Sequence, residues 1–157
     1  MVRVGVTGHI RLRPSSGPVI YRALLEVLRR FPDLHGVTCA AEGSDRLFAR
    51  AVRECGGTYE VILPATDSGR VRSDGALRRV LAGASGVRTA GSGRVAEESY
   101  AAASREMLRD IDLLVAVWDG VPNGGPGGTA DTVSRARADG TAVHVVWPKG
   151  ARRAALP

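Results

Sequence analysis

The chain has few aromatic residues, two Trp, three Tyr and two Phe, and Lys149 is the one lysine among its 22 basic residues. So few rings offer little surface for stacking the bases of a single-stranded nucleic acid. The formal charge of +6 is therefore not read as a nucleic-acid footprint. The arginines are scattered, several among acids as in Arg46, Arg50, Arg53 and Glu54, and only Arg70 with Arg72 and Arg152 with Arg153 make local patches. Nucleic acid is not expected as a partner. Long apolar runs are also missing: the longest, Leu113 to Trp118, is far too short to cross a bilayer, so no membrane partner is expected. Cys39 and Cys55 are two cysteines without CxxC spacing, which reads as buried thiols. The three histidines form no HxxxH pair or His/Cys cluster, so neither metal nor cofactor is expected. Met1-Val2-Arg3-Val4 enters a strand with no signal peptide, and a cytoplasmic location is the expectation.

What is present suits one soluble domain: 44% hydrophobic and 24% charged residues over 157 positions, enough to bury a core without disulfides. Apolar runs at Val2–Val6, Val37–Ala41, Tyr59–Leu63, Leu113–Trp118 and Val143–Trp147 read as strands, with Leu113–Trp118 at the centre of the sheet. Helical spacing marks segments from Pro18 to Pro32, from Ser44 or Asp45 to Gly56, from Glu97 to Arg109 and from Thr129 to Ala138. Residues 65 to 96 are less regular, with a short helix over Asp74–Leu81 and an edge strand at Val87-Arg88-Thr89. Strands that are continuously apolar and alternate with helices predict an α/β fold. The expectation is a single-domain, Rossmann-like three-layer sandwich with a mostly parallel sheet of five to six strands over residues 1–150, and a tail at 151–157.

In such a sheet the ligand crevice lies beyond the carboxyl ends of the strands. Four segments converge there: Thr7-Gly8-His9, then Glu42-Gly43-Ser44-Asp45-Arg46, then Asp119-Gly120, then Gly127-Gly128-Thr129 with Asp131. The last belongs to a loop of four glycines, Gly124, Gly125, Gly127 and Gly128, that opens a helix, where exposed N–H groups and the helix dipole favour an anion. Each segment also has a plainer reading. The glycines make tight turns, Asp45 and Asp131 cap helices, His9 holds loop backbone, and Tyr100 belongs to the core. Arg46 stands in a first helical turn, where a cation opposes the dipole unless it meets an anion.

Val4-Gly5-Val6-Thr7-Gly8-His9, Ala40 through Ala49, and Leu114 through Gly120 with Gly127-Gly128-Thr129-Ala130-Asp131 resemble the Rossmann-like SMF/DprA–LOG superfamily over most of residues 1–150. The resemblance implies a nucleotide or nucleotide-derived ligand and, by analogy with LOG proteins, a homodimer. LOG enzymes hydrolyse the N-glycosidic bond of nucleoside 5′-monophosphates, and related nucleoside deoxyribosyltransferases carry a similar Asp-Gly…Gly-Thr-Ala…acid segment. Two departures stand out. The LOG loop reads Pro-Gly-Gly-x-Gly-Thr-x-x-Glu, whereas Pro126-Gly127-Gly128 here runs straight into Thr129, with Asp131 and Thr132 where the glutamate would fall. The Arg-Lys pair that precedes the LOG loop has no counterpart.

The resemblance thus implies an N-glycoside hydrolase. Gly127, Gly128 and Thr129 would hold the 5′-phosphate, Thr7 and Gly8 would line the crevice, and Asp119 or Glu42 would bind ribose hydroxyls. Asp131 or Glu42 would stabilise positive charge at the anomeric carbon or activate water, and His9 or Arg46 would assist base departure. The remaining candidates for substrate contact are Gly43, Ser44, Asp45 and Gly120. A non-catalytic sensor of a nucleotide-derived ligand, which needs the cradle and no acid, and a transferase are the alternatives.

Overall fold

The computed structural model describes residues 1–122 and 125–154. Gly124 of the glycine loop and residues 155–157 of the expected tail lie outside them. Strands β1 (Val2–Gly8), β2 (Leu34–Thr38), β3 (Thr58–Pro64), β4 (Gly86–Ala90), β5 (Leu113–Val117) and β6 (Ala142–Val146) form one sheet in the order β4-β3-β2-β1-β5-β6. Every pairing in it is parallel. Helices α1 (Ser16–Leu28), α2 (Ser44–Glu54) and α3 (Gly75–Gly83) share one core with the sheet, and α4 (Ala96–Leu108) and α5 (Thr129–Ala138) pack on the other face. The fold is a single Rossmann-like α/β domain of three layers. Among the described residues no helix is long and apolar enough to cross a membrane.

The two faces are covered by different means. On α1, Ile20, Leu24 and Leu28 recur every four residues and are wholly buried, a broad apolar stripe of ordinary size. The buried side of α4 is mostly small: Ser99, Ala103 and Met107 recur at the same spacing, flanked by Ala101 and Ser104. Small side chains let α4 approach β3 and β4 closely, and on β1 Gly5 leaves room for the side chains that follow, since a Cβ there would stand 2.8 Å from Ile111 Cδ1 and 3.0 Å from Met107 Sδ.

Two element boundaries and one strand position differ most from the sequence reading. The second strand runs Leu34–Thr38 rather than 37–41, because Leu34 and His35 pair with Val2 and Arg3. Beyond Thr38 the chain turns, with Ala40 at φ 58°; Cys39 and Ala40 are apolar because that turn is itself buried. The first helix stops at Leu28, ahead of Pro32. The strand read as central, β5, is second from the edge, and β1 and β2 occupy the middle; β5 reads as central because both its faces are buried.

The C-terminal end of β1 meets the start of α2 with no space between them. A Cβ on Gly8 would stand 2.6 Å from Ser44 Cβ and 2.8 Å from Val117 Cβ. Gly8→Ala should therefore lower the urea midpoint, by an amount corresponding to about 1–3 kcal/mol. Gly17→Ala, which meets nothing within 4 Å, should leave the midpoint unchanged or raise it.

Candidate functional site

From β1 the chain winds toward β4, and from β5 it winds the other way to β6, with α1 and α5 on opposite faces. The divergence leaves a crevice beyond the carboxyl ends of these two neighbours. A cleft of about 720 Å³ opens there. Its inner wall is buried and comes from Val6, Thr7, Cys39, Asp45 and Ser104, while Ile10, Arg11, Gly125, Pro126 and Arg153 form an exposed rim.

The β1 end is pinned by its own backbone. His9 N–H donates to the Val117 carbonyl at 3.1 Å, and the His9 carbonyl accepts the Ser44 hydroxyl at 2.8 Å and the Ser44 N–H at 3.3 Å. Gly43, at φ 76°, has no room for a side chain, since a Cβ would lie 2.7 Å from the Ile10 carbonyl oxygen. The His9 ring is buried edge-on against Trp147, with centroids 5.3 Å apart. Its Nε2 accepts the Asp119 N–H at 3.1 Å, which fixes a neutral ring protonated at Nδ1. Burial, helped by Arg153, holds the imidazole below its usual range despite the Asp119 carboxylate 3.3 Å from Nε2. Burial on its own would raise the Asp119 carboxyl, but the Val121 N–H at 3.0 Å, His9 and Arg153 at 3.7 Å outweigh it and hold it low. Asp119 thus braces His9 and Arg153 from behind the cleft.

Asp45 occupies the first turn of α2 and is only 4% exposed. Its Oδ2 accepts the Thr38 hydroxyl at 3.2 Å and the Ala41 N–H at 3.4 Å. The Thr38 hydroxyl in turn accepts the Ala40 N–H at 3.1 Å, which ties the positive-φ turn at Ala40 to the same carboxyl. Burial dominates these contacts and pushes the Asp45 carboxyl up to about 7. Arg46 points its guanidinium elsewhere: Nε donates to the Ala40 carbonyl and Nη2 pairs with Asp74 at 2.8 Å.

On the α5 side, Asp131 Oδ2 accepts the Gly127 N–H at 2.8 Å and lies 3.2 Å from Arg135 Nε. Gly128 N–H donates to the Gly125 carbonyl at 3.0 Å. Two of the three amides expected to hold phosphate are therefore occupied within the loop. The outward N–H groups of α5 are those of its first turn, Thr129, Ala130 and Asp131; from Thr132 on, the helix bonds itself. Gly127, at φ 77°, packs on α4, where a Cβ would meet the Ala101 N at 2.6 Å. The glycines serve this helix–loop contact as much as any ligand.

Of the candidates named from sequence, Thr7, Gly8, His9, Asp45, Gly127, Gly128 and Thr129 line the cleft. Glu42, Gly43, Ser44, Arg46, Asp119, Gly120 and Asp131 do not, although Gly43, Ser44, Asp119 and Asp131 position residues that do. Sequence reasoning assigned Tyr100 to the core and passed over Glu97, Ser104, Arg11 and Arg153, all of which line the cleft. Glu97, Tyr100 and Ser104 are spaced 97, 100, 104, one face of a helix, and that spacing was the available signal. Arg153 comes beside Arg11 through backbone pairing: Leu12 bridges Arg153, Arg13 N–H donates to the Arg152 carbonyl, and Ala154 N–H donates to the Arg11 carbonyl. Among the described residues no group of three or more His, Cys, Asp or Glu is placed to hold a metal.

The buried carboxyl has a measurable cost. Asp45 keeps its proton in the folded chain at pH values where the unfolded chain, near 3.9, has lost it. Its contribution to stability is full below about pH 4, falls as pH rises toward 7, and is level beyond. Asp45→Asn should flatten this slope in chemical denaturation between pH 4 and 8, removing a loss on the order of 4 kcal/mol at pH 8. A slope unchanged by the substitution would place the titration elsewhere.

No family model matches the chain, and no curated protein matches its sequence. Solved structures do. DNA processing protein A (DprA) from Streptococcus pneumoniae is 16% identical with a TM-score of 0.67, over 96% of this chain and 52% of that one. The protein TM1055 is 25% identical with a TM-score of 0.61, over 91% and 72%. The Moco carrier protein of Chlamydomonas reinhardtii is 18% identical with a TM-score of 0.55, over 92% and 74%. The chain spans about half the length of the pneumococcal protein. Motifs and architecture agree: the chain has the fold of the Rossmann-like SMF/DprA–LOG superfamily that its sequence resembles.

Proposed function

We propose that the cleft binds a nucleotide or nucleotide-derived small molecule. The observation that carries this reading is the position of the cleft at the point where β1 and β5 diverge, bounded by the open first turn of α5 and by Arg11 and Arg153. An anionic group at the rim meets outward N–H groups and two guanidinium groups, which suit a phosphate. The size suits one small molecule. The superfamily resemblance supports the same ligand class.

Binding without turnover is the reading that the carboxyl groups favour. Asp131, which stands near the place of the LOG glutamate, is engaged by Gly127 N–H and Arg135 and does not line the cleft. Glu42 does not line it either. A second reading, hydrolysis of a nucleoside 5′-monophosphate, is favoured by Asp45 alone, a cleft carboxyl that titrates near neutral pH. In that reaction the C1′–N bond breaks, a water oxygen joins C1′ as a hydroxyl that keeps one of the water's protons, and the other proton passes to the departing base. Base and ribose 5-phosphate are the products.

The test is to incubate the protein with a panel of nucleoside 5′-monophosphates and cyclic nucleotides, following melting temperature and free base together. At a hundredfold excess over Kd the expected stabilisation is about 2.7 kcal/mol, and Arg153→Ala should weaken binding about tenfold. Stabilisation without base release supports a binder and rules out the hydrolase. Base release that Asp45→Asn abolishes supports the hydrolase. A panel with neither effect overturns the nucleotide reading.

A further inference from the structure

The cleft carries opposite charge at its two depths. Arg11 and Arg153 are exposed on the rim, the latter also paired with Asp119. Asp45 forms part of the inner wall at 4% exposure, and Asp67, 7% exposed, accepts the hydroxyl of the cleft residue Tyr100 at 2.8 Å. Glu97 is the one acid on the rim, beside the Gly125 backbone. A ligand that fills the space presents an anion outward and hydrogen-bond donors inward. For a nucleotide these are the phosphate and the amino edge of a base.

Resting on the nucleotide reading above, we propose that Asp45 reads the base: the cleft selects nucleotides whose base carries an exocyclic amino group, which donates to the Asp45 carboxylate. Thr38 and Ala41 both donate to one oxygen of Asp45, Oδ2, and the Cys39 backbone also bonds the carboxyl. A carboxylate offers about four acceptor sites, so capacity is left for a ligand donor on a residue that lines the cleft. A buried carboxylate with an incomplete set of donors is unfavourable; an amino group supplies the missing donor and stabilises the ionised form. Selectivity comes from this loss as much as from the bond. A base with a keto oxygen or hydrogen in that place leaves the carboxylate unpaired or faces it with an acceptor.

Binding is then linked to pH through Asp45. The titratable and charged groups around it are Arg46 on α2, Cys39 at the end of β2, Tyr100 on α4 and Asp67 in the turn after β3, with His9 at the end of β1 lining the same cleft. Burial raises the Cys39 thiol and the Tyr100 hydroxyl and lowers the His9 imidazole, so none of these three gains or loses charge as pH rises from 7 to 8. Arg46 is held by Asp74. Affinity for an amino-bearing nucleotide rises as pH passes upward through about 7, where Asp45 ionises.

The experiment is calorimetric titration of the full chain with matched pairs. These are adenosine against purine riboside 5′-monophosphate, guanosine against inosine 5′-monophosphate, and cytidine against uridine 5′-monophosphate, each at pH 5.5 and pH 8. In at least one pair the amino-bearing member should bind about tenfold tighter at pH 8, with the preference shrinking at pH 5.5. Asp45→Asn, checked for folding by circular dichroism, should erase that pH dependence. The wild-type pH profile stands alone if the variant does not fold. Equal affinities within every pair at both pH values, or a pH-dependent preference that survives in Asp45→Asn, overturn the proposal while leaving the nucleotide site intact. Failure of every nucleotide to bind overturns both.

Discussion

The close approach of β1 to the first turn of α2 is the constraint on which the site depends. Gly8 and Gly43 have no room for side chains, and the His9 carbonyl takes both the hydroxyl and the N–H of Ser44. This contact sets the depth of α2 in the fold. Asp45, the next residue, is therefore carried into the cleft wall rather than left as an ordinary first-turn acid. An exposed acid at that position would gain from the helix dipole and cost nothing. Here the same helix position and a buried turn place a carboxyl where its charge is disfavoured, and the fold bears that cost with a polar group in the cleft wall.

Much of the architecture was legible because local signals and tertiary packing agree. The strands are continuously apolar, as a parallel sheet covered on both faces requires, and α5 begins and ends where its capping residues place it. The β2 boundary was misplaced for a physical reason. Cys39 and Ala40 are buried in a turn, and hydrophobicity reports burial rather than hydrogen-bonded pairing. The cleft was legible at the strand ends, where Thr7-Gly8-His9 and Gly127-Gly128-Thr129 line it. It was not legible on α4, which reaches the cleft only after a crossover from β4, nor at Arg11 and Arg153, which meet through backbone pairing that leaves no side-chain pattern. The role of Asp131 was hidden in the same way: a hydrogen bond four residues back along the chain turns a candidate catalyst into a brace for the loop.

Two arginine–carboxylate contacts on either side of the cleft illustrate how placement decides purpose. Arg46 is half-enclosed with Asp74, which also caps α3 by accepting the Leu77 N–H at 3.0 Å. That pair joins α2 to α3 and belongs to the scaffold. Arg153 lies farther from Asp119, at 3.7 Å, and borders the cleft, so that the same charge also faces the open space. The distinction follows from geometry and from no property of arginine itself.

The crossover through α4 has a kinetic consequence. After β4 at one edge, the chain crosses behind β3, β2 and β1 before β5 pairs on the far side of β1. Thr7 and Ser104 share the cleft although nearly a hundred residues separate them, and the glycine loop that packs on α4 follows β5 in the chain. Contacts of such long range close late in assembly. The cleft is thus a product of the completed sheet, and its occupation by a ligand would draw on the stability of the whole domain rather than on any separable part.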